Sequence, residues 1–169
     1  CIIMRPFLIG EDENSGWIKD FAKTYDIDWK KDVVVVAGRK KLVDVITRAQ
    51  EGTLHEKVIV FSNKTIQNYL TDYETHTDEE FLEIKGFTCK PQDLIQTMGV
   101  DTLFMDEIHF DYHLNCKILS YFQMRLFVGA SGTIKSDDKF VERMFGLMYP
   151  MESRYKQKEY NVYAQPHSY

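Results

Sequence analysis

The sequence predicts an α/β domain in three layers, with a mostly parallel β-sheet and helices on both faces. Short apolar runs alternate along the chain with segments whose apolar residues recur at helical spacing. Several runs are apolar at consecutive positions, which is typical of strands buried on both faces of a parallel sheet. With 169 residues and 44% hydrophobic content, the chain can build one ordinary core. We therefore expect a single globular unit over residues 1–169.

The apolar runs are the predicted strands, and the segments of helical spacing between them are the predicted crossover helices. The strands are Cys1–Met4, Phe7–Ile9, Val33–Ala37, Lys57–Phe61, Thr102–Met105 and Arg125–Gly129. The helices are Trp17–Thr24, Lys40–Gln50, Thr65–Tyr73, Cys116–Phe122 and Asp138–Met148. The acidic stretch 72–83 is predicted to be a solvated loop or helix face. Residues 149–169 are predicted to leave the sheet as a connector or terminal strand.

Composition argues against several classes of protein. The net charge of -5 and the pI near 5.5 give no overall basic footprint, so any contact with nucleic acid must be local. The three cysteines form no C-x-x-C pair, which indicates neither a disulfide framework nor a zinc site. No apolar run approaches the roughly 20 residues of a membrane span, and no signal-peptide pattern is present. We predict a cytoplasmic protein without a membrane partner.

Two adjacent carboxylates, Asp106 and Glu107, end an apolar run within Val100–Phe110. Ligands bind outside the carboxyl ends of the strands in open α/β sheets. There, one carboxylate can hold Mg²⁺ while the other orients and deprotonates a water molecule. An Asp-Glu pair alone also occurs at solvated strand ends. Likewise, the small-residue loop Gly129–Thr133 after the next run is explained on its own by a helix-capping turn.

Taken together, the tetrapeptide Asp106–His109 and the tripeptide Ser131–Thr133 resemble motifs II and III of the superfamily 2 helicases and translocases of the DExH-box type. Less specific likenesses cover most of the chain. The run Phe7–Ile9 resembles the motif Ia strand, and Trp17–Phe21 resembles the Trp-containing helix after it, in translocases of the chromatin-remodeller kind and their phage relatives. The segment Lys57–Ile66 resembles motif Ib, and Lys135–Tyr155 is similar to the segment after motif III in phage-type members.

The resemblance implies a RecA-like fold of the P-loop NTPase type: the first motor lobe of an ATP-dependent helicase or translocase that works with a second such lobe. It implies ATP and Mg²⁺ as cofactors. Asp106 would hold the metal, Glu107 would be the general base, and His109 would be the third catalytic residue. Asp106, Ser131 and Thr133 would bind the nucleotide, with His109 linking them. The phage likeness implies the cytoplasm of a bacterium or of a virus-infected host cell.

Short polar and basic side chains follow two other predicted strands, at one rim of the sheet. The candidate nucleic-acid contacts are Arg39, Lys40, Ser62, Asn63, Lys64 and Thr65. Lysines, hydroxyls and helix N-termini contact phosphates without base specificity, which suits a motor that tracks a strand, with DNA favoured over RNA. A solvated helix start also explains the run from Arg39 to Lys41. Trp17 has helical spacing with Phe21 and is predicted to lie in the core instead of stacking on bases.

The motif Gly-x-x-x-x-Gly-Lys-Ser/Thr, which cradles the β and γ phosphates, does not occur in the sequence. We therefore expect these 169 residues alone not to hydrolyse ATP. A parallel crossover needs a dozen or more residues, so one hypothesis places a phosphate loop between Pro6 and Phe7 in the native protein. The competing hypothesis makes Pro6 the motif Ia proline and places the first strand upstream of Cys1.

Two other functions remain open at the level of sequence. One is a non-catalytic nucleic-acid-binding or regulatory module with a degenerate RecA-like fold. The other is a small metal-dependent hydrolase that uses Asp106, Glu107 and His109. The spacing of His109 and His113 also allows a two-histidine metal site, but zinc sites use three or four ligands and no further Cys or His cluster accompanies the pair.

Overall fold

The computed structural model describes residues 1–5, 24, 26–83, 85–131 and 137–154. The chain divides into two compact units, Cys1–Gly132 and Thr133–Tyr169. The first unit contains a sheet of five described strands. They are β1 Ile2–Arg5, β2 Val33–Val36, β3 Val58–Ser62, β4 Thr102–Met105 and β5 Leu126–Gly129. The strands lie in the order β2-β3-β1-β4-β5 and every pair is parallel.

Helices flank this sheet, which confirms the α/β class with a parallel sheet. In the first unit they are α1 Trp29–Asp32, α2 Arg39–Gln50, α3 Asn63–Thr75, α4 Asp78–Glu83, α5 Pro91–Thr97 and α6 Tyr112–Tyr121. The second unit contains α7 Lys139–Met148 and the 3₁₀ turn Met151–Ser153. Several helices begin directly after a side chain that accepts a hydrogen bond from their first turn. These capping residues are Asp28, Ser62, Asp111 and Asp138.

The sheet packs on both of its faces. Ile2 and Met4 of β1 are fully buried, as are Leu42 of α2 and Ile66 of α3. The connections from β2 to β3, β3 to β4 and β4 to β5 all advance across the sheet in one direction, so right-handed crossovers place their helices in one layer. Ile3 alternates with Ile2 and Met4 and therefore faces the other side of the sheet. The second face carries its own apolar cluster, Ile3, Val33, Val58 and Val60, with Ile27 and Trp29 packed on it.

Each predicted element within the described residues agrees with an observed one to within a few residues, whereas α1 and α5 were not predicted. The predicted strand Phe7–Ile9 and most of the predicted helix Trp17–Thr24 lie outside the described residues. The acidic stretch 72–83 contains the end of α3 and all of α4, which agrees with the helix-face alternative of its prediction. Within it Phe81 is completely buried. This stretch is therefore only partly a solvated face.

Asp32 connects the start of β2 to the start of β3. Its carboxylate accepts a hydrogen bond from the backbone N–H of Asp28 at 3.1 Å and lies 3.1 Å from Lys57 Nζ. Its backbone carbonyl accepts a hydrogen bond from the N–H of Lys57 at 2.8 Å. The Asp28 hydrogen bond, together with that of Lys57, lowers the pKa of Asp32 below its ordinary value.

Replacing Asp32 with Asn should lower Tm at neutral pH, and the difference from wild type should disappear in acid. A depressed pKa in the folded state means that the carboxylate stabilises the fold fully above its unfolded pKa, about 3.9. The stabilisation is lost as the pH falls through the folded value. Thermal unfolding of wild type, Asp32→Asn and the exposed control Asp44→Asn, from neutral pH to strong acid, measures this. A difference that persists unchanged in acid would contradict the role of the Asp32 charge.

Candidate functional site

The two candidate acids lie at the carboxyl edge of the sheet, directly after β4. The N–H of Asp106 donates to the carbonyl of Met4 in β1 at 3.0 Å. The N–H of Ala130, which follows β5, donates to the carbonyl of Met105 at 2.8 Å. In return, the N–H of Ile108 donates to the carbonyl of Ala130 at 3.1 Å. The acidic turn is thus held between the ends of β1 and β5.

The backbone of Glu107 is in the left-handed region, with φ of 53°. A residue with a β-carbon adopts this conformation at an energetic disadvantage of about 1 to 3 kcal/mol, and it persists where the surroundings impose it. Such residues cluster at functional sites. The side chain of Glu107 is 47% exposed, so its carboxylate can meet a ligand or a water molecule at the sheet edge.

His109 connects the acidic turn to the loop after β5. Its Nδ1 atom lies 2.7 Å from Ser131 Oγ and 3.3 Å from Glu107 Oε2. The nitrogen can donate to either oxygen when it carries a proton and can accept from the serine hydroxyl when it does not. Glu107, His109 and Ser131 therefore form one contiguous polar chain. Sequence reasoning placed these residues together, and the structure brings them into contact.

Of the two remaining residues predicted to bind the nucleotide, the structure describes Asp106 but not Thr133. Asp106 is half-buried beside Glu107 at the end of β4. Gly132 and Thr133, which complete the predicted Ser131–Thr133 loop, lie outside the described residues. The described site therefore consists of Asp106, Glu107, His109 and Ser131, and the role of Thr133 stays a prediction.

The candidate nucleic-acid contacts separate into buried and exposed side chains. Ser62, Asn63 and Thr65 are buried. The hydroxyls of Ser62 and Thr65 lie 2.7 Å apart, and Thr65 Oγ1 accepts a hydrogen bond from the N–H of Gly38 at 2.8 Å. Gly38 has φ of 81°, a conformation that favours glycine. These hydroxyls join the loops that begin α2 and α3, so they are occupied within the protein.

The exposed members of the same set are basic. Arg39 and Lys40 lie in the first turn of α2, and Lys64 lies in the first turn of α3. Both helices begin at the carboxyl ends of their strands, on the same rim as Asp106. This rim combines exposed cations with two helix N-termini, which is the chemistry that contacts phosphate groups.

Sequence reasoning missed Asn115, which contacts the acidic turn from α6. Its Nδ2 atom donates to the carbonyl of Ile108 at 2.6 Å. A polar residue with low helix propensity, one turn after the helix-capping Asp111, was the available indication. It also missed an open apolar cavity of about 450 Å³, which Ile3, Phe104 and Val128 line together with Asp106.

The described residues contain no group of three or more His, Cys, Asp and Glu side chains that could hold a metal ion. His113 is exposed on α6.

Among the helices in the described ranges, none has the length and apolar character needed to span a membrane. Comparisons of the chain with protein-family models, curated proteins and solved structures find no match.

Proposed function

We propose that this chain is the first RecA-like lobe of an ATP-dependent nucleic-acid helicase or translocase of superfamily 2. The proposal depends on one observation, the contact of 2.7 Å between His109 Nδ1 and Ser131 Oγ, residues 22 positions apart. This contact joins the two segments that resemble motifs II and III. A parallel sheet collects its strand ends at one edge, where ligands of such folds bind.

The donor set at this edge fits the metal half of a Mg-ATP site. Mg²⁺ prefers carboxylate oxygens and is usually held by one or two of them, and Asp106 would hold it here. When bound, the metal neutralises charge on the phosphates. Glu107 would orient the attacking water and accept its proton. His109 would transmit changes at Glu107 to the Ser131 loop, because its Nδ1 atom lies within reach of both side chains.

The phosphate half of the site needs a loop that the 169 residues do not encode as a motif. The proposal therefore requires that the native polypeptide supplies a lysine-containing phosphate loop. The exposed basic side chains at the rim support a second candidate, a non-catalytic nucleic-acid-binding or regulatory module. That candidate needs the basic rim of Arg39, Lys40 and Lys64 and no nucleotide chemistry.

ATP hydrolysis by the native protein, measured with and without DNA or RNA, separates the two candidates. A motor is expected to bind ATP and to hydrolyse it faster when nucleic acid is present, with DNA the stronger activator. DNA binding without any binding or hydrolysis of ATP would support the non-catalytic module and contradict the motor.

The basic rim should supply part of the affinity for DNA. We expect the double variant Lys40→Ala/Lys64→Ala to bind DNA more weakly and with a shallower salt dependence. The slope of log K against log salt should fall by roughly 0.7 to 0.9 for each phosphate that the variant no longer neutralises. The control is Lys30→Ala/Lys31→Ala, which removes the same charge from α1 at the amino end of β2. Equal slopes for the two double variants would contradict this assignment of the rim.

A further inference from the structure

Asn115 is an amide buried inside α6, with 1% of its surface exposed. An asparagine is a poor helix former, and a buried amide is unfavourable unless it is hydrogen-bonded. The hydrogen bond from Nδ2 to the carbonyl of Ile108, at 2.6 Å, satisfies one of its donors. The amide at this position is therefore explained by a contact outside the helix, its hydrogen bond to Ile108.

The peptide units around Ile108 are held from two sides. The N–H of Ile108 donates to Ala130 after β5 at 3.1 Å, and its carbonyl accepts from Asn115. Its side chain is buried as well. Ile108 lies between Glu107 and His109 in the chain. The two candidate catalytic residues therefore flank a residue that is hydrogen-bonded both to the loop after β5 and to α6.

The helix that carries Asn115 is itself firmly placed. Asp111 Oδ1 accepts a hydrogen bond from the N–H of Leu114 at 3.2 Å, and the carbonyl of Asp111 accepts one from the N–H of Asn115 at 3.0 Å. Leu114 and Ile118 are buried on the same helix. Functional groups keep their geometry when rigid elements support them through hydrogen bonds. The left-handed backbone of Glu107 needs such support, because its surroundings must impose it.

We infer that Asn115 is a positioning residue for Glu107 and His109. Its amide fixes the Ile108 carbonyl, and this in turn fixes the turn that directs both side chains toward the sheet edge. The inference rests on the proposed function for its effect on catalysis. Its structural half, the clamp on Ile108, stands on the hydrogen bonds alone.

Nuclear magnetic resonance on the 169-residue chain tests the clamp. In the wild type, a scalar coupling across the hydrogen bond should connect Asn115 Nδ2 to the carbonyl carbon of Ile108. In Asn115→Leu and in the shape-preserving Asn115→Asp, the turn loses the hydrogen bond that holds the Ile108 carbonyl. The Ile108 N–H, which donates to Ala130, should then exchange with solvent up to roughly 10-fold faster because the loosened turn opens more often. The ring signals of His109 should shift. The control Ile118→Val reduces packing on the same helix and should change neither readout.

Absence of the coupling in the wild type would overturn the clamp even if both variants failed to fold. Unchanged Ile108 exchange and His109 signals in a folded variant would overturn it too.

In the native protein, Asn115→Asp should lower kcat for ATP roughly 10-fold while KM stays unchanged, since a misdirected base affects the transition state selectively. An unchanged kcat with a perturbed Ile108 would contradict the positioning role. A wild-type protein without ATPase activity would contradict the proposed function and leave the clamp to be decided by the spectra.

Discussion

Replacing Glu107 with Gln should reduce ATP turnover by the native protein roughly 10²- to 10⁴-fold, the usual contribution of a general base. Glutamine keeps the shape of the side chain but cannot accept a proton from water. Asp106 would still hold the metal, so nucleotide should bind with nearly unchanged affinity. The expected pattern is a loss of kcat without a matching loss of binding, which single-turnover kinetics and a fluorescent-nucleotide titration resolve.

The control for this substitution is Glu79→Gln, which neutralises an exposed acid on α4, a helix that carries none of the candidate site residues. It should leave turnover and binding at the wild-type level. Unchanged turnover in Glu107→Gln would remove Glu107 from the mechanism. Loss of binding together with turnover would indicate that Glu107 holds the metal or nucleotide itself, and the roles of the two acids would have to be exchanged.

His109 gives this prediction a second, structural consequence. Its Nδ1 atom lies close to both Glu107 Oε2 and Ser131 Oγ. An amide in place of the carboxylate offers the ring a weaker acceptor, because hydrogen bonds to charged groups are the stronger ones. The ring should then interact mainly with Ser131. A coupling between hydrolysis and the Ser131 loop would therefore weaken in Glu107→Gln even where nucleotide binding persists.

Local sequence patterns predicted the elements because their causes are local. The strand predicted at Lys57–Phe61 is observed at Val58–Ser62, since burial of consecutive apolar residues defines it. The errors at helix starts have a local cause as well. Helix α6 is predicted from Cys116 but begins at Tyr112, because the carboxylate of Asp111 caps its first turn.

Features that depend on distant residues could not be predicted. The hydroxyl of Thr65 looked available for phosphate because its partner, Gly38, is 27 positions away. The low helix propensity of Asn115 indicates an unusual position but not its partner, because the contact with Ile108 needs the turn after β4 to fold back on α6. The strand predicted at Arg125–Gly129 is observed at Leu126–Gly129, but Leu126 is 51% exposed because β5 pairs with β4 alone among the described strands. Strand order decides burial, and periodicity does not encode strand order.

The acidic stretch supplies the second large expected effect, on stability. Phe81 of α4 is completely buried. The centroid of its ring lies 5.0 Å from that of Phe87 and 5.5 Å from that of Tyr69. Because removing a buried ring forfeits both its transfer free energy and its packing, Phe81→Ala should lower the free energy of unfolding by about 3 to 5 kcal/mol. That is a large part of the roughly 5 to 15 kcal/mol that holds a typical domain folded.

Leu82 is the matched control for Phe81, since it is the next residue of the same helix and is 37% exposed. Leu82→Ala changes helix propensity little and should destabilise the protein by much less than Phe81→Ala in urea unfolding. The m-value should stay the same in both variants if each still unfolds as one unit. Equal, small losses would mean that α4 lies on the surface as its charge suggested. A large difference would show that one aromatic residue anchors an otherwise solvated acidic segment to the core.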